Sequence, residues 1–122
     1  MNKKELEIIN EKIVKDARDL MSARFPIMVQ YFLEDTQMYL EEIEKGVKKK
    51  DAKLAISPAH TIKSSAKQLG VERVSDIAKS IEELCRGISE NNKGDFLKFE
   101  QLYLKLKEEF NKATPKLNKL CN

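Results

Sequence analysis

The sequence has few of the residues that interrupt helices or form covalent cross-links. Its 122 residues include four Gly, three Pro and two Cys, with no Trp. Long charged and aliphatic residues dominate instead, and these residues lose little conformational freedom in a helix. Cys85 and Cys121 are far apart and lack metal-ligand spacing, so no disulfide framework is expected and a reducing cytoplasm fits best.

Long apolar runs are also absent. No stretch of about 18 apolar residues occurs, so no membrane span is expected. Residues 1–7 lack the apolar core of a secretion signal. The 23 basic and 20 acidic side chains are interspersed and leave a net charge of +3, which does not favour a nucleic-acid-binding protein. The basic run at Lys48, Lys49 and Lys50 falls where a helix is expected to end, and cations stabilise that end.

Apolar residues recur at three- and four-residue steps along most of the chain, which predicts amphipathic helices. We expect one domain over residues 1–122: a helix at about 3–20 that packs as a lid, a bundle at about 22–115, and a partly ordered tail at 116–122. The lid would bury Leu6, Ile9, Ile13, Ala17 and Leu20.

Capping residues place the boundaries of the four bundle helices. Ser22 is expected to cap the second helix, Asp51 the third and Asp95 the fifth, and Gly70 is expected to end the third. Pro115 would close or kink the last helix. Short turns between long helices force neighbours to run antiparallel, so the predicted fold is all-α, an up-down four-helix bundle with an additional N-terminal helix.

His60 is the only histidine, and it is predicted to lie on the third helix. At about 100° per residue, it points roughly 140° away from the apolar face of that helix. Lys63, Ser64 and Lys67 fall on the same side. The pattern therefore predicts an accessible imidazole flanked by two amines and a small hydroxyl.

Several simpler interpretations of this histidine compete. A lone exposed histidine is usually an ordinary surface residue. No metal site is expected, because no second His or Cys lies within one helical turn and the nearby charges are cationic. Ser/His/Asp catalysis lacks a water-excluding pocket on an exposed helix face. Phosphoryl acceptance needs little more than a neutral, nucleophilic imidazole and cations that offset the incoming charge.

The segment from Ala59 to Gly70, AHTIKSSAKQLG, resembles the signature of the histidine-containing phosphotransfer (HPt) domain family of phosphorelays. Residues 31–36 are similar to the second helix of that family, Asp51 to the acid that opens its histidine helix, and Ile81-Glu82 to its Leu-Glu pair. The resemblance covers roughly residues 25–117.

The resemblance implies specific roles. His60 would accept the phosphoryl group on Nε2, Lys63 would assist it electrostatically, and Glu82 would hydrogen-bond the other ring nitrogen. Ser64 stands where many members have Gly, and Arg86 where a basic residue contacts the partner or the phosphate. Lys67 and the apolar Ile56 are further expected partner or phosphate contacts. The simpler interpretation of Glu82 is a surface ion-pair residue, bonded to Lys79 or Arg86.

We therefore expect a phosphoryl carrier, not an enzyme, that shuttles the group between receiver-domain aspartates of response regulators or hybrid kinases. It would be cytoplasmic and monomeric, with no cofactor of its own, because the receiver would supply Mg²⁺. Two alternatives are a helical interaction module that is never phosphorylated and a detached phosphotransfer segment of a chemotaxis-type kinase.

Overall fold

The computed structural model describes residues 7–121, and all its regular elements are helical. The helices are α1 (Glu11–Met21), α2 (Phe25–Lys49), α3 (Lys53–Leu69), α4 (Glu72–Asn91) and α5 (Phe96–Leu120), with a short 3₁₀-helix (Ser22–Arg24) between α1 and α2. The predicted all-α class is confirmed.

Helices α2 to α5 form a four-helix bundle in which each helix packs against two neighbours. The packed pairs are α2 with α3, α3 with α4, α4 with α5, and α5 with α2. Residues 50–52, 70–71 and 92–95 connect them, and such short turns make sequential helices antiparallel. Helix α1 lies against α2 and α3. The predicted up-down bundle with an additional N-terminal helix is therefore confirmed.

The core is formed by one apolar face of each helix, at the spacing that the sequence shows. Burying each large aliphatic side chain contributes about 1.5–3 kcal/mol. On α2 the buried residues recur at helical spacing, and Phe32 packs edge-on against Phe110 of α5 with ring centroids 6.3 Å apart. The largest fully buried side chains include Phe25, Ile43, Ile62, Ile81, Phe99, Leu106 and Leu117.

The first helix begins later than predicted. Residues 7–10 are not helical, residues 3–6 and hence Leu6 lie outside the described residues, and α1 starts at Glu11. The Asn10 side chain caps it by accepting a hydrogen bond from the Ile13 amide at 3.2 Å. This start sets the buried face around Val14, which is fully buried, whereas Leu20 is 86% exposed. The prediction that Leu20 packs inward was wrong.

Ser22 does not cap α2, contrary to the prediction. It ends α1 with φ 49°, and its amide donates to the Arg18 carbonyl. Helix α2 then starts at Phe25 with Pro26 in its first turn, where a missing amide hydrogen costs nothing. Asp51 does cap α3, since its Oδ1 accepts a hydrogen bond from the Lys53 amide at 3.2 Å.

Gly70 ends α3 in the left-handed conformation, as predicted, with φ 85°. Its backbone is closely covered by α1: the Asn10 amide donates to the Gly70 carbonyl at 2.6 Å. A Cβ at position 70 would lie 3.1 Å from the Asn10 oxygen and 3.1 Å from Val14 Cγ2. Glycine is thus required both by the positive φ and by the close contact with Asn10 and Val14.

The two internal prolines are accommodated within continuous helices. Pro58 lies inside α3, where it removes the hydrogen bond to the Leu54 carbonyl. Pro115 does not end α5, which continues to Leu120, so the predicted tail from residue 116 was wrong. The carbonyl that Pro115 leaves unpaired belongs to the exposed Asn111, which water can satisfy, and buried Leu117 holds the next turn in place. Asn122 lies outside the described residues.

Between residues 7 and 121, no helix combines the length and the apolarity that crossing a lipid bilayer requires.

Candidate functional site

His60 lies midway along α3 on the outer surface of the bundle. The nearby residues Pro58, Ala59 and Ile62 are buried in the core. His60 points away from that buried face and therefore lies on the solvent-exposed side of the helix. The His60 side chain is 56% exposed. The ring is therefore accessible to a macromolecule, as the helical periodicity predicts.

One edge of the His60 ring is held by the neighbouring helix. His60 Nδ1 lies 3.0 Å from Oε2 of Glu82 on α4. The Glu82 side chain is only 8% exposed, so this contact forms at the floor of the α3–α4 junction. An ionised carboxylate can only accept hydrogen bonds, so Nδ1 carries the proton. The neutral ring then has its lone pair on Nε2, the nitrogen directed away from Glu82.

Glu82 also pairs with two cations. Lys63 Nζ lies 2.8 Å from Oε1, an ion pair that is not aligned as a hydrogen bond. Arg86 donates from Nε at 3.1 Å and from Nη2 at 2.9 Å, both to Oε2. Arg86 Nη1 is 3.8 Å from Glu90, on the exposed side of α4. Glu82 thus holds together one residue of its own helix and two of α3.

These partners keep Glu82 ionised despite its burial. Burial by itself raises the pKa of the Glu82 carboxyl, but Lys63, Arg86 and His60 together outweigh that effect and lower the pKa to about 2. A buried carboxylate without such partners would take up a proton and could no longer orient the ring. The cations are therefore part of what maintains the Nδ1–H form of His60.

A groove of about 400 Å³ runs beside this cluster between α3 and α4. Ser64 and Lys67 are exposed along its α3 side, on the same face as His60, as predicted. Its lining consists of Lys63, Ser64, Lys67, Glu72, Ser75, Asp76 and Lys79. Three lysines and two acidic residues line the groove, and Lys63 joins it to the His60–Glu82 cluster.

Three of the predicted site residues differ from the expectation in their contacts or their burial. Arg86 donates to Glu82, and 47% of its side chain remains exposed, so its expected contact with a partner or the phosphate stays a prediction. Glu82 is buried, whereas the periodicity of α4 placed it beside the buried stripe. Ile56 is half-buried and packs against the core, so it offers less apolar surface than Leu54, Met38 or Tyr31, which are 40%, 47% and 62% exposed.

The sequence reasoning missed one residue of this region. Ser75 is buried, and its hydroxyl donates a hydrogen bond to the Lys63 carbonyl at 2.8 Å. No sequence signal could have identified it, because a serine in the first turn of a helix is usually a capping residue or a surface residue.

No group of three or more His, Cys, Asp or Glu residues in residues 7–121 is arranged to hold a metal ion. Cys85 lies in the core, and burial raises the pKa of its thiol to about 12.

Comparison with known proteins agrees with this geometry. The family model described as the Hpt domain matches residues 27–112. The structure is similar to the crystal structure of histidine-containing phosphotransfer protein B (HptB) from Pseudomonas aeruginosa PAO1, with a TM-score of 0.85 and 16% sequence identity over 96% of each chain. At that identity the structural likeness shows the fold alone. No curated protein matches the sequence.

Proposed function

We propose that this chain, which belongs to the Hpt domain family, carries a phosphoryl group on Nε2 of His60 and exchanges it with the phosphorylated aspartate of a receiver domain. Hpt proteins act in histidine phosphotransfer in two-component signalling, as phosphocarriers and not as enzymes. The observation that carries the proposal is the 3.0 Å contact between His60 Nδ1 and buried Glu82, which directs the lone pair of Nε2 to solvent.

The proposed step is a displacement at phosphorus. The Nε2 lone pair of His60 forms the N–P bond as the bond between phosphorus and the aspartyl oxygen breaks, and the aspartate leaves as a carboxylate. The ring keeps its Nδ1 proton and becomes a cation, which the Glu82 carboxylate stabilises from 3.0 Å. In the reverse direction, the receiver aspartate attacks phosphorus and His60 Nε2 leaves with its lone pair.

The charge of the phosphoryl group would change the partner of Lys63. The group brings up to about two negative charges to the ring. Lys63 is 30% exposed and lies one helical turn from His60, so its ammonium can swing from Glu82 to a phosphoryl oxygen. Arg86 would then remain as the cation on Glu82, which explains why one carboxylate is paired with two bases.

The divalent ion that such transfers use would enter with the receiver, since the acidic residues that bind it belong to the partner. This chain contributes the nucleophile, the residue that orients it, and the surface on which the receiver docks. Ser64 and Lys67 border the ring on that surface, and Leu54 of α3 and Met38 of α2 offer exposed apolar area. A receiver partner would place the protein in the cytoplasm.

Phosphotransfer from a panel of phosphorylated receivers, with wild type, His60→Gln and Lys63→Gln, tests the proposal. We expect wild type to gain an acid-labile, base-stable phosphoryl group and His60→Gln to gain none. Lys63→Gln should be slower, whereas Lys105→Gln, which changes an exposed lysine on α5, a helix that does not pack against α3, should transfer normally.

Transfer that survives in folded His60→Gln would refute the assignment. Receiver binding without any transfer by wild type would favour the alternative of an interaction module that is never phosphorylated. Phosphorylation only by an ATP-binding kinase domain, and by no receiver, would favour the chemotaxis-type segment.

A further inference from the structure

A further link between α3 and α4 lies along the same junction as the contacts of Glu82 with His60 and Lys63. Ser75, in the first turn of α4, is 5% exposed, and its Oγ donates to the backbone carbonyl of Lys63 at 2.8 Å. That carbonyl already accepts the amide of Lys67 within α3, so the serine uses its second lone pair. The bond therefore adds an interhelical constraint without disrupting α3.

This hydroxyl behaves differently from the other helical hydroxyls whose hydrogen bonds are described. Thr61, Ser65, Ser80 and Thr114 each donate to the carbonyl four residues earlier in their own helix. Such local bonds are the usual choice for Ser and Thr within helices. Ser75 instead reaches a different helix, and the carbonyl it reaches belongs to a residue that pairs with Glu82.

The two links act on the relative position of the same two helices. Ser75 and Glu82 are seven residues apart on α4, so they share a face and are separated by about 10 Å along the axis. Their α3 partners, Lys63 and His60, are three residues apart. A slide of about 1 Å between α3 and α4 would change the distances of both contacts, and hydrogen bonds weaken steeply away from their usual geometry.

We propose that Ser75 is a positioning residue for phosphoryl transfer, which fixes the axial register of α3 against α4 so that the Glu82 carboxylate meets His60 Nδ1. It touches neither the ring nor the phosphoryl group and acts through the backbone of Lys63. The inference rests on the proposed function for its effect on transfer, but its effect on the ring can be measured in the unphosphorylated protein.

Ser75→Ala removes the donor, and Ser80→Ala is the matched control, because Ser80 is an exposed serine of α4 that bonds only its own helix. Ser75→Thr retains a hydroxyl donor. The measurements are the nitrogen chemical shifts of the His60 ring at about pH 8.5, where a free imidazole is neutral, and the rate of phosphoryl acceptance from a receiver.

In Ser75→Ala we expect the population with the proton on Nδ1 to fall and the acceptance rate to drop about two- to fivefold. Ser80→Ala should match wild type, and Ser75→Thr should recover most of the wild-type tautomer population. A loss of packing alone lowers the melting temperature but leaves the ring nitrogens unchanged, so the shifts separate positioning from a merely structural role.

Unchanged nitrogen shifts in folded Ser75→Ala would overturn the inference, whatever its melting temperature. If Ser75→Ala does not fold, Ser75→Cys replaces it, because cysteine has a similar volume and is a weaker donor. Ser75→Cys must then show the same direction of change in the nitrogen shifts, and unchanged shifts would also overturn the inference. If no receiver phosphorylates wild type, the proposed function fails, but the tautomer measurement still decides the role of Ser75.

Discussion

Acidification should destabilise this protein through Glu82. The carboxyl is buried and its folded-state pKa is about 2, against an ordinary value of 4.5. Because the folded-state pKa is the lower one, Glu82 stabilises the fold fully above about pH 4.5, and this contribution is lost as pH falls toward 2. We therefore expect the protein to lose stability below about pH 4.5.

The size of the effect follows from the same values. A depression from 4.5 to about 2 corresponds to a total of about 3 kcal/mol, at about 1.4 kcal/mol per pKa unit. Between about pH 6 and pH 3, roughly 2 kcal/mol of this would be lost, because an unfolded carboxyl is then mostly protonated while Glu82 in the fold is still ionised. That amount is a large part of the stability of a small domain.

Urea denaturation from about pH 6 to pH 3, with wild type, Glu82→Gln and Glu83→Gln, measures the effect. Glu82→Gln should be less stable at neutral pH, and its disadvantage should shrink by about 2 kcal/mol as the pH falls. Glu83 is exposed on the same helix, so Glu83→Gln should keep the pH profile of wild type. Parallel profiles for wild type and Glu82→Gln would refute the reasoning, since they would mean that Glu82 has no depressed pKa.

Three further predictions concern residues around this cluster and in the core. Arg86→Lys keeps the charge but loses the paired donation to Glu82, so we expect acid unfolding to begin at a higher pH, by about 0.5 unit in a pH titration followed by circular dichroism. Gly70→Ala should lower stability by about 1–3 kcal/mol in thermal denaturation, because the position has φ 85° and no room for a Cβ. Alkylation near pH 8 should modify Cys121 first and reach Cys85 only at the rate of global unfolding, since Cys85 is fully buried with its thiol pKa raised to about 12 and Cys121 is half-buried.

The bundle helices could be predicted from the sequence because their signals are long and consistent. On α2, apolar or small residues recur at helical spacing over 25 residues, and seven residues on that face are buried. Gly70 and Asp95 mark a helix end and a helix start by backbone chemistry that few other residues supply: Gly70 adopts positive φ, and Asp95 Oδ1 accepts from the Leu97 amide at 2.8 Å.

The ends of the chain were harder to predict, because there a local pattern competes with tertiary contacts. The apolar spacing of residues 6–20 suggested a longer helix, yet the contact between Asn10 and Gly70 starts α1 at Glu11 and leaves Leu20 exposed. Pro115 suggested a helix end, yet the burial of Leu117 carries α5 past it. Neither contact can be derived from spacing.

The site residues also fall into a group that could be predicted from the sequence and a group that could not. Helical angles alone place His60 outward with Lys63, Ser64 and Lys67, because all four lie on one helix. The contacts from α4 depend on the register between two helices, which a single sequence does not specify. The family resemblance suggested the contact between Glu82 and His60, and helical spacing allowed the pair with Arg86, but neither predicted that Lys63 also binds Glu82.

The most direct test of the account is to identify the phosphorylated atom. After transfer from a receiver to protein labelled with ¹⁵N in its single histidine, phosphorus–nitrogen couplings in the NMR spectrum distinguish the two ring nitrogens. The contact between Nδ1 and Glu82 predicts phosphorus on Nε2 of His60. Phosphorus on Nδ1, or on any other residue, would contradict it.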